Sequence, residues 1–484
     1  MTMKPMSPLD AAWYQIDGPV NLAMVTGILL TKEPLDFARV KKVFAHRLRR
    51  FERFSQRVVE ARFPPGKPYW EDVPHFNFAQ QMHHVGLPAP HTKAALIDLI
   101  NDLVSTPLDR GRPLWDVHVV DNVEGGSGLI LRFHHCIGDG TAMMAVALEL
   151  FDSTPDAPLA RGPVVVAHPR AGLLDQIIGP AIEAVDWSTS TVTSTWESVS
   201  HALRHPEQVL EQAGAVIWGA GMLVSELLKT PDPLTPLKGE FGLEKRVAWS
   251  EPVAIEDIKS IGATSGAKVN DVLVAGMTGA LRTYLAKRGV DVDRNTLRAM
   301  VPVDLRPRER AIELGNAFGL VVLDLAVGKK HPLERLRVTK ANMDALKRSP
   351  EAMAILTLFN LFGRGPKVLE DFAVDLFGSK ASLVMTNVVG PREPLYLAGV
   401  PIDRTIFWVP HPGRQLGMGI SIFSYNGTAS LAVVSDAHLV PDPEAITAQF
   451  NREFQRMLAM AKPVRAKQRR PPREPRRPGA KRVH

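Results

Sequence analysis

Residues 129–151, LILRFHHCIGDGTAMMAVALELF, constrain this chain more than any other stretch. Leu129, Leu131 and Phe133 alternate with Ile130 and Arg132, the period of a half-buried strand. The run ends in His134-His135, then Cys136-Ile137-Gly138 and Asp139-Gly140. An apolar helix rich in Met and Ala is expected from Thr141 to Phe151. A strand thus delivers two imidazoles and a carboxylate into a tight loop. Gly138 and Gly140 let that loop turn sharply and give a substrate room to approach.

If the alternation persists, His135 shares the face of Leu131 and Phe133, and His134 points the other way. Imidazole, with an unperturbed pKa of ~6.5, is the side chain best suited to take a proton near neutral pH. One histidine is then free to be a base while the other packs or holds the loop. Asp139 either orients His135 or locks the loop by pairing with a distant arginine. The same residues also fit a plainer reading, two hydrogen-bonded core histidines beside an N-cap aspartate. Cys136 is the one cysteine. Catalytic Cys–His pairs are usually brought together from separate segments, so it is read as filler and not as a nucleophile. Adjacent ligands suit a tetrahedral site poorly, and no metal is expected on His134, His135 and Cys136. Neither GxSxG nor GxxxxGK[ST] occurs.

With 484 residues, 45% hydrophobic and 23% charged, the chain is long enough for two globular domains. The net charge of +7 misleads: ten Lys/Arg against one Glu lie in 462–484, so the body is close to neutral. Residues 1–165 read as a mixed α/β domain, with a strand at 20–31 and a buried stripe of Phe37, Val40, Phe44, Leu48, Phe51 and Phe54. The opposite face carries Arg39, Lys42, Arg49, Arg50 and Arg53, either a lipid- or phosphate-attracting surface or a solvated helix face. Residues 166–240 read as a helical crossover, and 241–461 as a second α/β domain. There Asn270 is expected to cap a long helix and Asp442 to cap the last one. The 462–484 tail, with five prolines, is expected to be disordered. It lacks Phe, Tyr and Trp, which weakens a nucleic-acid reading and leaves anchoring to an anionic surface or mere solubility. No signal-peptide core appears, and the apolar stretch 213–228 falls short of a membrane span. A cytoplasmic chain, or one lying on a membrane without crossing it, is expected.

His134-His135-xxx-Asp139-Gly140 resembles the HHxxxDG motif shared by chloramphenicol acetyltransferase-like enzymes, peptide-synthetase condensation domains and bacterial wax ester synthase/diacylglycerol acyltransferases. Six more stretches resemble the last family in order. They are MSPLD at 6–10, PLDRGRPLW at 107–115, PDPLTPLKG at 231–239, VNDV at 269–272, VPVDLR at 301–306 and TNVVGP at 386–391.

The resemblance implies two chloramphenicol-acetyltransferase-like α/β domains with mixed sheets, joined by the crossover. It implies acyl transfer from acyl-CoA, a substrate and not a cofactor, to diacylglycerol or a long-chain alcohol. His135 would be the general base, with no acyl-enzyme. His134, Asp139 and Gly140 complete the motif. Asn270, Asp271 and Asn387 would bind substrate, with Asn270 as oxyanion donor or plain cap. Arg306 would pair with Asp139, with Arg132 and Arg112 as alternatives. The 387–391 segment would shape the space between domains, and 107–115 would be structural support. Peripheral association with the inner membrane or lipid inclusions is implied, nucleic-acid binding is not, and a homodimer stays open. Two other functions remain: a condensation-type transferase using a carrier-protein donor, and a non-catalytic lipid-inclusion coat. An intact His135 and Asp139 argue against the coat.

Overall fold

The computed structural model describes residues 3–60, 68–160, 231–304, 306, 314–346, 378–411 and 415–468. Most of the expected crossover and most of the basic tail lie outside these residues. The N-terminal half contributes β1 (Met3–Pro5), α1 (Pro8–Ile16), β2 (Met24–Thr31), α2 (Phe37–Arg47), β3 (Gln56–Glu60), β4 (Pro68–Asp72) and β5 (Met82–Gly86). It continues with α3 (Lys93–Ser105), β6 (Trp115–Val123), β7 (Gly126–His134) and α4 (Gly140–Leu150). The C-terminal half contributes β8 (Lys245–Trp249), β9 (Val253–Ala254), α5 (Ile255–Gly262), α6 (Val269–Lys287), β10 (Leu297–Asp304), β11 (Phe318–Leu325) and α7 (Pro332–Leu346). Then come β12 (Leu383–Val389), β13 (Tyr396–Leu397), β14 (Val400–Trp408), β15 (Met418–Tyr425), β16 (Thr428–Asp436) and α8 (Pro443–Gln468).

Two large mixed sheets follow, in the orders β13-β14-β2-β7-β6-β5 and β11-β10-β12-β15-β16-β8, with β9 also on β16. A small sheet, β1-β4-β3, lies apart from both. Apolar alternation accounts for β7: Leu129 meets Leu29 of β2 and Val119 of β6 in antiparallel register. Asn426-Gly427 turns the β15–β16 hairpin as its sequence demands, with φ of 46° and 75°.

Strand β14 was not legible. It lies within 241–461, yet Thr405 pairs with Leu29 and Ile406 with Ile28, so the C-terminal half supplies an outer part of the first sheet. Trp408, 2% exposed, locks this exchange. Its ring meets Trp249 of the second sheet edge-on at 5.8 Å, and its indole N–H donates to the Ala248 carbonyl at 3.3 Å.

Three local expectations change. The stripe through Phe54 is buried apart from partly exposed Phe37, but α2 stops at Arg47 and short 3-10 turns continue it. That change of winding turns Arg53 inward, away from exposed Arg39, Lys42, Arg49 and Arg50. Helix α6 starts two residues earlier than expected, so Lys268, not Asn270, is its N-cap. Asp442 stands at the N-cap position directly before α8, as expected, while its carboxylate accepts from the Tyr284 hydroxyl and pairs with Arg288. Helix α8 itself runs to Gln468, past the expected start of the tail.

Trp408→Ala should cost about 3–5 kcal/mol, as for other buried large-to-small changes. Denaturant unfolding monitored by tryptophan fluorescence and circular dichroism checks this. A loss under 1 kcal/mol would mean that the Trp408–Trp249 contact does not hold the sheets together.

Candidate active site

Strand β7 ends at His134, and one 3-10 turn, His135–Ile137, carries the chain into α4. The alternation of β7 holds to its last residue. His135 opens on a cavity of about 640 Å³ that also meets Leu131 and Phe133. His134 faces away: its Nδ1 accepts the Cys136 backbone N–H at 3.1 Å, and its Nε2 lies 3.7 Å from the Asp17 carboxylate. Asp17 is in turn paired with Arg110 at 2.8 Å. His134, expected within the catalytic motif, therefore braces the loop from behind. Residues around Arg110 belong to that brace, as expected of 107–115. Cys136 is fully buried, and burial pushes its thiol pKa well up, which removes it as a nucleophile.

The His135 ring is gripped on several sides. Trp13 of α1 stacks on it at 3.9 Å with the planes 9° apart, and Phe318 lies 5.8 Å away. Its Nδ1 is 3.0 Å from Asn316 Oδ1. The Asn316 amide nitrogen donates to Asp10 Oδ1 at 2.8 Å and to the His135 carbonyl at 2.9 Å. Both partners are acceptors, so the amide's NH₂ end is fixed there and its oxygen must face the imidazole. An oxygen accepts only, so Nδ1 carries the proton and Nε2 keeps its lone pair. Burial pushes the His135 pKa down to about 4, and the ring is neutral near pH 7.

Asp139 does not touch His135. Its Oδ1 accepts the Ala142 N–H at 3.0 Å, capping α4. Its Oδ2 accepts the Ala317 N–H at 2.9 Å and pairs with Arg306 at 2.8 Å. The cap and the ion pair were alternatives in the sequence; the carboxylate does both. Arg132 is instead paired with Asp116, and Arg112 with its neighbour Asp109. Arg306 also donates to the Gly315 carbonyl at 2.7 Å. Gly315 has φ +123° and lies so close to Arg53 that a side chain there would crowd the guanidinium. Residues 314–317 are thereby laid directly on the histidine loop. Asp304 lines the same cavity and accepts the Thr141 hydroxyl at 2.6 Å; burial, and then the Asp139 charge, push its pKa up.

Gly140, Asn270 and Asn387 all line the cavity. The Asn387 amide nitrogen is buried without a hydrogen-bond partner among the described residues. Val388, Val389 and Pro391 join Asn387 in the wall, in line with the role expected of 387–391. Asp271 does not belong to the site. One residue along the helix turns it by about 100° from Asn270. It is fully buried, and its carboxylate accepts the Lys268 backbone N–H at 2.8 Å. Asn316, Asp10, Trp13 and Arg53 were missed as site residues. Asp10 lay within a recognised stretch without an assigned role, and Leu314-Gly315-Asn316 carries no local signal of its own. Among the described residues, one grouping of potential metal ligands exists, His83, Asp116 and His118. Its carboxylate is taken by Arg132 through two bonds, and that cation opposes a metal ion.

The model for the "Wax ester synthase/diacylglycerol acyltransferase catalytic domain" matches residues 6–273, and that for the "WS/DGAT C-terminal domain" matches 314–458. The chain belongs to the wax ester synthase/diacylglycerol acyltransferase family. It is an acyltransferase. It is 27% identical over 481 residues to the "Probable diacyglycerol O-acyltransferase tgs1" of Mycobacterium tuberculosis, covering 95% of this chain and 97% of that one. Its fold is similar to that of the wax ester synthase/diacylglycerol acyltransferase from Marinobacter aquaeolei VT8. There the TM-score is 0.67 at 19% identity, with 95% of this chain and 100% of that chain covered. The first condensation domain of the calcium-dependent antibiotic synthetase is also similar, with TM-score 0.59, 16% identity and coverage of 95% and 96%. The mixed α/β fold expected from the motif is thus the fold of the family.

Asp139→Asn should be a stability variant. It leaves the Arg306 guanidinium buried without its counter-charge, a cost of about 3–5 kcal/mol. A fall in thermal midpoint with residual activity in the folded fraction is expected. A fully stable but inactive protein would contradict the geometry.

Proposed function

We propose that this chain transfers a long acyl group from acyl-CoA to the hydroxyl of diacylglycerol or a long-chain alcohol, with His135 Nε2 as general base. The observation that carries the reading is an imidazole whose Nδ1 is held by Asn316 Oδ1, leaving the basic Nε2 for an apolar cavity. That cavity lies within the ~300–1,000 Å³ range of small-ligand sites and is lined from both sheets by Leu, Val, Ile, Phe and Met. It suits an acyl chain beside a hydroxyl.

The step balances without an acyl-enzyme. The alcohol oxygen attacks the thioester carbonyl carbon as its proton passes to Nε2. The C–O bond forms, the tetrahedral intermediate collapses, and the C–S bond breaks. The imidazolium then returns the proton to the departing CoA thiolate. A ring whose pKa lies about 4 is a strong proton donor in that second half. The oxyanion needs a pre-aimed donor. The Asn387 amide, buried beside the cavity without a partner among the described residues, is suited to it, with Asn270 of the same lining as a substrate contact. Acyl-CoA is the only donor invoked, and no cofactor is. No helix among the described residues is long and apolar enough to cross a membrane. Peripheral contact with a membrane or lipid inclusion, through exposed Arg39, Lys42 and Arg49 and the basic tail, belongs to the proposal.

Incubation of the purified protein with labelled palmitoyl-CoA and either diolein or hexadecanol, with product separation, tests the reading. His135→Ala should lower turnover by about 10²–10⁴-fold, the usual worth of a general base. Near-normal turnover would refute His135 as the base. Asn387→Ala should lower kcat by about 10²–10³-fold with KM little changed. The rate should also stay flat from neutral pH down to about pH 5 and fall below, because only the neutral ring accepts a proton. Stability has its own sign. The unfolded histidine (~6.5) binds a proton that the folded one refuses, so His135 removes stability as pH falls from ~6.5 towards 4. Initial rates over short times separate the two effects.

A further inference from the structure

The grip on His135 comes from three distant parts of the chain: Asp10 in α1, Arg53 after α2, and Asn316 before β11. We infer that Asn316 is a positioning residue of the acyl transfer, holding His135 as the Nδ1–H tautomer through a neutral amide that Asp10 and Arg53 lock in place. The inference rests on His135 being the base.

The lock is over-determined. Asp10 is fully buried in α1, whose first turn is capped by Ser7. Its Oδ1 accepts both the backbone N–H of Asn316 at 2.9 Å and the side-chain amide at 2.8 Å. Its Oδ2 pairs with Arg53 at 2.9 Å. Arg53 reaches on to the carbonyls of Cys136 and Ile137 at 3.1 and 2.9 Å, beside the histidine. The amide cannot flip without setting its oxygen against a carboxylate and a carbonyl. The imidazole cannot change tautomer without setting a lone pair against Asn316 Oδ1. Trp13 and Phe318 hold the ring plane.

A neutral partner has a distinct chemical meaning. A carboxylate at Nδ1 would favour the imidazolium and raise its pKa. The charges nearest His135 are instead compensated: Asp10 by Arg53, and Asp139 by Arg306. His134 lies behind the loop, and Asp304 faces the cavity with a raised pKa. Asn316 thus selects the proton's location while favouring the charged ring less than a carboxylate would, and burial outweighs that pull, which keeps the base unprotonated and its conjugate acid ready to discharge onto sulfur.

Two variants and one spectrum test this. Asn316→Ala should lower kcat at least ~10-fold with KM nearly unchanged, a part of what the base itself supplies. The exchange Asp10→Asn with Asn316→Asp keeps the charge count and moves the carboxylate next to Nδ1. It should shift the acidic limb of the kcat/KM–pH profile upwards by about 1 unit or more. A role confined to folding would lower thermal stability and leave that limb in place. In the unmodified protein, ¹⁵N-histidine spectra, with His135 assigned by its loss in His135→Ala, should show Nδ1 protonated and Nε2 bare. Three results would each overturn the inference: an Nε2–H tautomer, an unshifted limb in a folded and active exchange variant, or full kcat in Asn316→Ala. If His135→Ala itself keeps its turnover, the base assignment falls first, which separates that failure from this one.

Discussion

The buried pair between Asp139 and Arg306 is the constraint on which the site depends. It joins the histidine loop of the first sheet to the segment that leads into β11 of the second. Replacing such a pair by apolar residues often costs little stability, so its worth is better sought in geometry. Here the same carboxylate caps α4 and accepts the Ala317 N–H, and the same guanidinium takes the Gly315 carbonyl. Three of these bonds, two of them through Arg306, thus dock residues 315–317 onto the histidine loop. Asn316 reaches His135 because its two neighbours are fixed.

Charge around the cavity follows one rule. Asp10 faces Arg53, Asp116 faces Arg132, and Asp139 faces Arg306. What remains to meet a substrate is amides, hydroxyls, a neutral imidazole, hydrocarbon and the carboxyl of Asp304, which accepts the Thr141 hydroxyl. Such a lining tolerates an acyl chain, and it leaves a developing oxyanion to be met by dipoles that are already oriented.

Much of this was legible in the residues. The alternation from Leu129 to Phe133 correctly assigned opposite faces to His134 and His135, because period 2 is a local property. Arg306 stood first among three candidate partners of Asp139 through resemblance alone, since nothing local in VPVDLR points 167 residues back. Asp271 came with Asn270 through the resemblance of the VNDV stretch, but a helix turns the two neighbours apart. Arg53 was misjudged because helical spacing was continued across a stretch where 3-10 turns take over. Asn316 escaped notice because its function is wholly tertiary. An asparagine beside a glycine reads as a turn until Asp10 and His135 arrive on either side.

Strand β14 bears on how members of this fold can recombine. Residues 400–408 hydrogen-bond to β2 while the chain on both sides of them serves the other half. A hybrid made by joining the first half of one homologue to the second half of another would therefore bring a foreign strand into its catalytic sheet. It would also set cavity-lining Thr405, Ile406 and Phe407 of one parent beside Leu29, Ile28 and Gly27 of the other. The natural unit of exchange is discontinuous: the first half together with the segment around 396–408. Functional drift in the two halves is tied by that strand, and neither half can change the shape of its inner face without the consent of the other.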